Sequence, residues 1–132
     1  MKNENPFEDA PVIYSYTRAQ AIEDGVLVDL TDWAKETGFK IPLACTSAVW
    51  SGYIEPPKGT MECGQSERGR AHDVLWMLYL AIRRAARGED RLLFKVIFLQ
   101  APHRHETVKL KAICSPGDRG EPVLTIMLPE ED

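Results

Sequence analysis

Cysteine and histidine are the side chains in this 132-residue chain with most to offer as nucleophiles or ligands. Cys45, Cys63 and Cys114 form no C-x-x-C pair, and an odd count suits free thiols in a reducing cytosol better than a disulfide framework. Cys45 stands just before an expected helix start, where the helix dipole can lower a thiol's pKa and make it reactive. The plainer reading is a buried structural thiol. His103 and His105 form an H-x-H pair in an expected loop after Pro102. Together with Cys45, Cys63 and His72 they show no spacing that assembles a zinc site, so no metal and no cofactor are expected. The carboxylate pairs Glu23-Asp24, Asp29/Asp32 and Glu89-Asp90 read as solvated or capping groups. Neither phosphate-binding glycine signature occurs. Gly64-Gln65-Ser66-Glu67-Arg68-Gly69 lacks the serine spacing of a nucleophile elbow and reads as a helix entry capped by Ser66.

A stronger signal is a surface rather than a catalytic set. Trp76, Leu80, Arg83 and Arg87 fall in a narrow band at helical spacing, opposite an apolar stripe. A solvent face has no need of Trp76 and Leu80. Either another segment of the chain covers them, or an aromatic anchor ringed by arginines forms an interface. A rival surface would bind nucleic acid through Arg83, Arg84, Arg87 and the strand lysines Lys109 and Lys111. A self-complementary Trp76/Leu80 patch would also suit a homodimer.

The elements that position these residues follow from pattern. Residues 1–10 read as a flexible acidic tail, 11–129 as one domain and 130–132 as a second acidic tail. Val12–Tyr16 has strand character. Thr17 and Gln20 form a capping box for a short helix that stops at Gly25. Val26–Leu30 reads as a strand or an extended segment, and Thr31 is expected to cap a second short helix that ends at Gly38. Phe39–Leu43, with Pro42, reads as a connection or edge segment. Thr46 or Ser47 would cap a third helix through Val49, Trp50, Tyr53 and Ile54. The longest helix is expected over residues 67–87, with Ala71, Val74, Leu75, Leu78, Ile82, Ala85 and Ala86 inward. The period then changes to two across Leu92–Leu99, Thr107–Cys114 and Val123–Leu128, three strands joined too closely for crossover helices. Short helices first, one long amphipathic helix, and a three-stranded antiparallel sheet last predict an α+β domain.

Charge refines the choice of partner. The formal net charge is −4. Residues 63–129 nonetheless carry 11 basic and 7 acidic side chains, whereas residues 10–62 carry 4 and 7. A mildly basic half therefore coexists with an acidic half and acidic ends. No apolar run approaches the roughly 20 residues of a membrane span. The start lacks the basic-then-apolar layout of a secretory signal, so a cytoplasmic location is expected.

Tyr16–Leu30, the run Gly38-Phe39-Lys40-Ile41-Pro42 with Ala44-Cys45-Thr46 and Val49-Trp50, and Gly120–Leu128 form a recognisable set. Together they resemble a family of small uncharacterised proteins carried by bacterial plasmids, prophages and other mobile elements. The resemblance implies an accessory factor, of the kind that includes anti-CRISPR and anti-restriction inhibitors, acting by stoichiometric binding to a host protein or protein–nucleic acid complex. It implies no catalytic residue. The expectation is a non-enzymatic interaction protein. Nucleic-acid binding is the first alternative, and a small cysteine- or histidine-dependent enzyme is the second.

Overall fold

The Thr17 hydroxyl accepts from the Gln20 amide at 3.0 Å, and the Gln20 side chain accepts from the Thr17 amide at 2.9 Å. This capping box opens the first helix of a computed structural model that describes residues 16–131. The expected tail 1–10 and the strand reading of residues 12–15 lie outside the described residues. The elements are α1 (Arg18–Glu23), β1 (Leu27–Asp29), α2 (Thr31–Thr37), β2 (Leu43–Thr46), α3 (Ser47–Val49), α4 (Glu67–Arg84), β3 (Arg91–Ala101), β4 (Arg104–Pro116) and β5 (Pro122–Met127). A π-helical turn at Trp50–Ile54 extends α3, and a 3-10 turn at Met61–Cys63 precedes α4.

The domain is α+β, but its sheet has five strands rather than three, in the order β1-β2-β5-β4-β3. The expected antiparallel meander β3-β4-β5 is present. β2 adds to it in parallel with β5, and β1 pairs antiparallel with β2. β2 escaped the sequence reading because it is four residues long and follows Pro42. Its Leu43, Ala44 and Cys45 are buried on both faces, so it shows no alternation. A second correction concerns α2. Thr31 does not cap it. The Asp29 carboxylate accepts from both the Thr31 amide (3.0 Å) and the Thr31 hydroxyl (2.5 Å).

The core lies between α4 and one face of the sheet. Ala71, Val74, Leu75 and Leu78 of α4 meet Phe94, Val96 and Phe98 of β3, Leu110 of β4 and Ile126 of β5. Full burial of such a side chain contributes about 1.5–3 kcal/mol, which is what holds the short elements in place. α1 lies on the opposite face. The Arg18 guanidinium donates to the Thr125 hydroxyl and to the Leu124 carbonyl, each at 2.7 Å. Thr125 alternates with the core residues Leu124 and Ile126 and so faces away from α4. Asp118, in the β4–β5 turn, accepts from the Arg18 and Ala19 amides at 2.7 and 3.1 Å and caps α1 from a hundred residues away.

α4 begins as expected, with Ser66 accepting from the Gly69 amide. It ends at Arg84, earlier than expected, because Ala85 is already extended. Ile82 is therefore partly exposed rather than core, and Ala86 lies outside the helix. No described helix is long and apolar enough to cross a membrane.

Candidate interaction face on the long helix and the edge strand

Trp76 and Tyr79 stack on the surface of α4, with ring centroids 5.7 Å apart and planes 11° from parallel. The Arg83 guanidinium lies 5.9 Å from the Tyr79 centroid. One face of the helix thus carries a Trp–Tyr–Arg ladder, with Leu80 half-buried beside it. Residues three and four apart meet on a helix, which is why this spacing builds a continuous patch. Tyr79 is its hub, and sequence reasoning missed it. Phe39 meets Tyr79 edge-on at 5.8 Å, and Gly38 lies against the same ring. The end of α2 thereby fixes Tyr79, and Tyr79 fixes Trp76.

Trp76 also lines a groove of about 500 Å³ with Met77, Lys95, Val96 and Ile97. The groove continues past Met77 and Lys95 toward Arg84 and Leu93. Trp76 on the α4 side of β3 is 44% exposed, and Leu93 and Ile97 on its outer face are 54% and 62% exposed, so exposed apolar groups flank the strand on both faces. Asp73 sits at one end of the groove. Burial raises its carboxyl above the ordinary value, against the pull of His72 and Arg70.

The groove follows the free edge of β3. The Asp90 carbonyl accepts from the Cys114 amide at 2.8 Å, which makes Asp90 and Cys114 a hydrogen-bonded pair. Antiparallel alternation then turns the backbone of Leu92, Phe94, Val96 and Phe98 toward β4. The backbone groups of Arg91, Leu93, Lys95 and Ile97 point outward, where no strand pairs with them among the described residues.

Arg70 closes this edge at one end. Its guanidinium is buried and donates to the Tyr53 carbonyl (2.6 Å), the Gln65 side chain (2.8 Å), the Leu99 carbonyl (2.7 Å) and the Gln100 side chain (2.5 Å). It also stacks 4.9 Å from the Phe98 ring centroid. Burial pulls its pKa below the ordinary value, and nearby Asp73 opposes that shift. The signal for Arg70 was its position four residues before Val74, in line with the inward stripe.

The structure brings Trp76, Leu80 and Arg83 together but separates Arg87 from them. The helix has ended, and Arg87 instead lines a cavity of about 280 Å³ beside Ile82 and Cys114. Arg84 and Lys109 are exposed. Lys111 is not available to a ligand as expected. It is buried and donates to the carbonyls of Pro129 (3.2 Å) and Glu131. Glu131 folds back on the sheet, its carboxylate accepting from the Thr46 hydroxyl and the Leu128 amide.

Cys45 is fully buried in β2, and burial pushes its thiol up to about 12. Strand position and desolvation outweigh any pull from the following helix, so the thiol is protonated at neutral pH. His103 sits in the β3–β4 turn with φ of 63°, and His105 is exposed on β4. Among the described residues no group of three or more His, Cys, Asp or Glu is placed to hold a metal ion.

No curated protein and no solved structure matches the chain. A family model described as "Family of unknown function (DUF6573)" matches residues 2–132. With that match running over nearly its whole length, the chain belongs to this family of unknown function, DUF6573.

Proposed function

We propose that this protein acts by binding another protein through the Trp76–Tyr79–Arg83 ladder and the groove beside it. One observation carries the reading: an exposed tryptophan stacks on Tyr79, next to a mainly apolar groove that runs past Lys95 toward Arg84. Rigid aromatic anchors with arginine neighbours are the composition of binding hot spots. The resemblance to small proteins of plasmids, prophages and other mobile elements supports a setting for such binding. In that setting the protein is a cytoplasmic accessory factor that inhibits a host-defence complex by occupying it stoichiometrically. Exposed Arg83, Arg84 and Lys109 keep nucleic acid as the rival ligand, now without Lys111.

The test is affinity capture from a bacterial lysate with and without nuclease, using wild type, Trp76→Ala and Arg83→Glu. The expected result is a protein captured regardless of nuclease and lost with either variant. Capture that survives both substitutions removes this face. Capture that disappears with nuclease replaces the reading with nucleic-acid binding, whose affinity would fall steeply with salt.

A further inference from the structure

The open edge of β3 is built for a particular kind of partner. From Arg91 to Ile97 it presents the N–H and C=O groups of every second residue, with no strand against them among the described residues. A strand laid along it would alternate its side chains between an apolar surface and a mixed one. On the α4 side it would meet Trp76 and Met77, and on the outer face Arg91, Leu93, Lys95 and Ile97. The Arg70 guanidinium occupies the Leu99 carbonyl, so the open stretch has a defined end.

Charge selects the occupant. Arg84 and Lys95 border the middle of the edge, with Asp73 at one end of the groove and Glu89 and Asp90 beside Arg91 at the other, and Lys95 stands directly opposite Lys109 on the outer face. Like charges directly opposite each other across a pair of strands are destabilising, and an incoming carboxylate relieves this pair. A second copy fits less well. Antiparallel self-pairing that sets Leu93 against Ile97 also sets the two Lys95 side chains against each other.

We propose that the β3 edge from Arg91 to Ile97 receives an extended segment of the partner protein, with acidic and apolar residues alternating, as a sixth strand. This rests on the reading that the protein works by binding another protein.

Fluorescence anisotropy tests the proposal on the full-length protein. The probe is a short labelled peptide alternating valine and glutamate. Its controls are the same peptide N-methylated at every amide, and a peptide alternating valine and lysine. The expected result is saturable binding of the first, with methylation weakening it about tenfold or more because several backbone hydrogen bonds are lost together. The lysine peptide binds more weakly still. Lys95→Pro abolishes binding and keeps the fold, since the Lys95 amide points away from β4. Leu93→Glu gives the same loss by charge. No binding by wild type, or equal binding of the methylated peptide, overturns the proposal. So does a dimer of the protein alone that Lys95→Pro makes monomeric, which would identify the occupant as a second copy. Partner capture lost with Trp76→Ala but intact with Lys95→Pro leaves the interaction reading standing and removes strand addition.

Discussion

The Arg70 guanidinium donates to the Leu99 carbonyl at 2.7 Å, joining the first turns of the long helix to the far end of the edge strand. That carbonyl points out of the sheet, where an edge strand has no neighbour to satisfy it. A buried arginine takes the place of a strand there. Among the described residues it has no carboxylate bonded to it, and neutral oxygens from Tyr53, Gln65, Leu99 and Gln100 surround its charge. The contact both anchors α4 and sets where the open edge begins.

Arg70→Met is therefore expected to lower the free energy of unfolding by about 3 kcal/mol, because buried carbonyls lose a charged donor. Arg70→Lys should restore only part of the loss, since an ammonium cannot fork toward acceptors in several directions. Urea midpoints of the three proteins test this. Equal midpoints for wild type and Arg70→Met would mean that the carbonyls are satisfied without the guanidinium.

Gly38 has φ of +123°, and a Cβ there would lie 3.3 Å from Tyr79 Cε1. Gly38→Ala combines a disfavoured backbone conformation with pressure on the ring that carries Trp76. A loss of about 1–2 kcal/mol is expected in thermal unfolding. Partner binding through Trp76 should weaken in the same variant. Unchanged melting and unchanged binding would show that Tyr79 gives way freely.

Asp118 holds the start of α1, and the two amide hydrogen bonds keep its carboxyl below the ordinary value. A lowered folded-state pKa means that the contribution is complete above the unfolded value of about 3.9 and is lost as pH falls toward the folded one. Amide protection factors at Arg18 and Ala19 should drop across that acid window. In Asp118→Ala they should be low at every pH. Protection that ignores both acid and the substitution would assign α1's anchoring to Arg18 alone.

Cys45 and Cys63 should differ sharply in reactivity. Cys63 is exposed, whereas Cys45 is fully buried with its thiol protonated at neutral pH. Iodoacetamide is expected to modify Cys63 in the folded protein and Cys45 only in denaturant, as read by peptide mass spectrometry. Modification of Cys45 in the native protein at a comparable rate would revive the thiol as a nucleophile.

The long helix and the C-terminal meander were legible in the chain because each carries its own period over enough residues to register. Ser66 before an 18-residue helix, and alternation across β4, are local facts. Trp76, Leu80 and Arg83 were legible for the same reason, since their grouping needs only the geometry of one helix. β2 was not, because four residues buried on both faces have no period, and their partner strand lies some eighty residues away. Lys111 was misread because alternation places it on the solvent side of β4. The returning chain end at Pro129 and Glu131 covers it there.

By itself the sequence determined the α+β class, the inward stripe of α4 from Ala71 to Leu78 and the grouping of Trp76, Leu80 and Arg83 on the helix, all properties of neighbours along the chain. Only the tertiary structure decided that Tyr79 is the hub of that face and that Arg87 has left it. The same is true of Arg70 sealing one end of β3 and of the remaining edge lying beside Trp76 with no strand paired to it among the described residues. Each of those depends on contacts between residues distant in sequence, which form when burial of the shared core brings α2, α4 and β3 together.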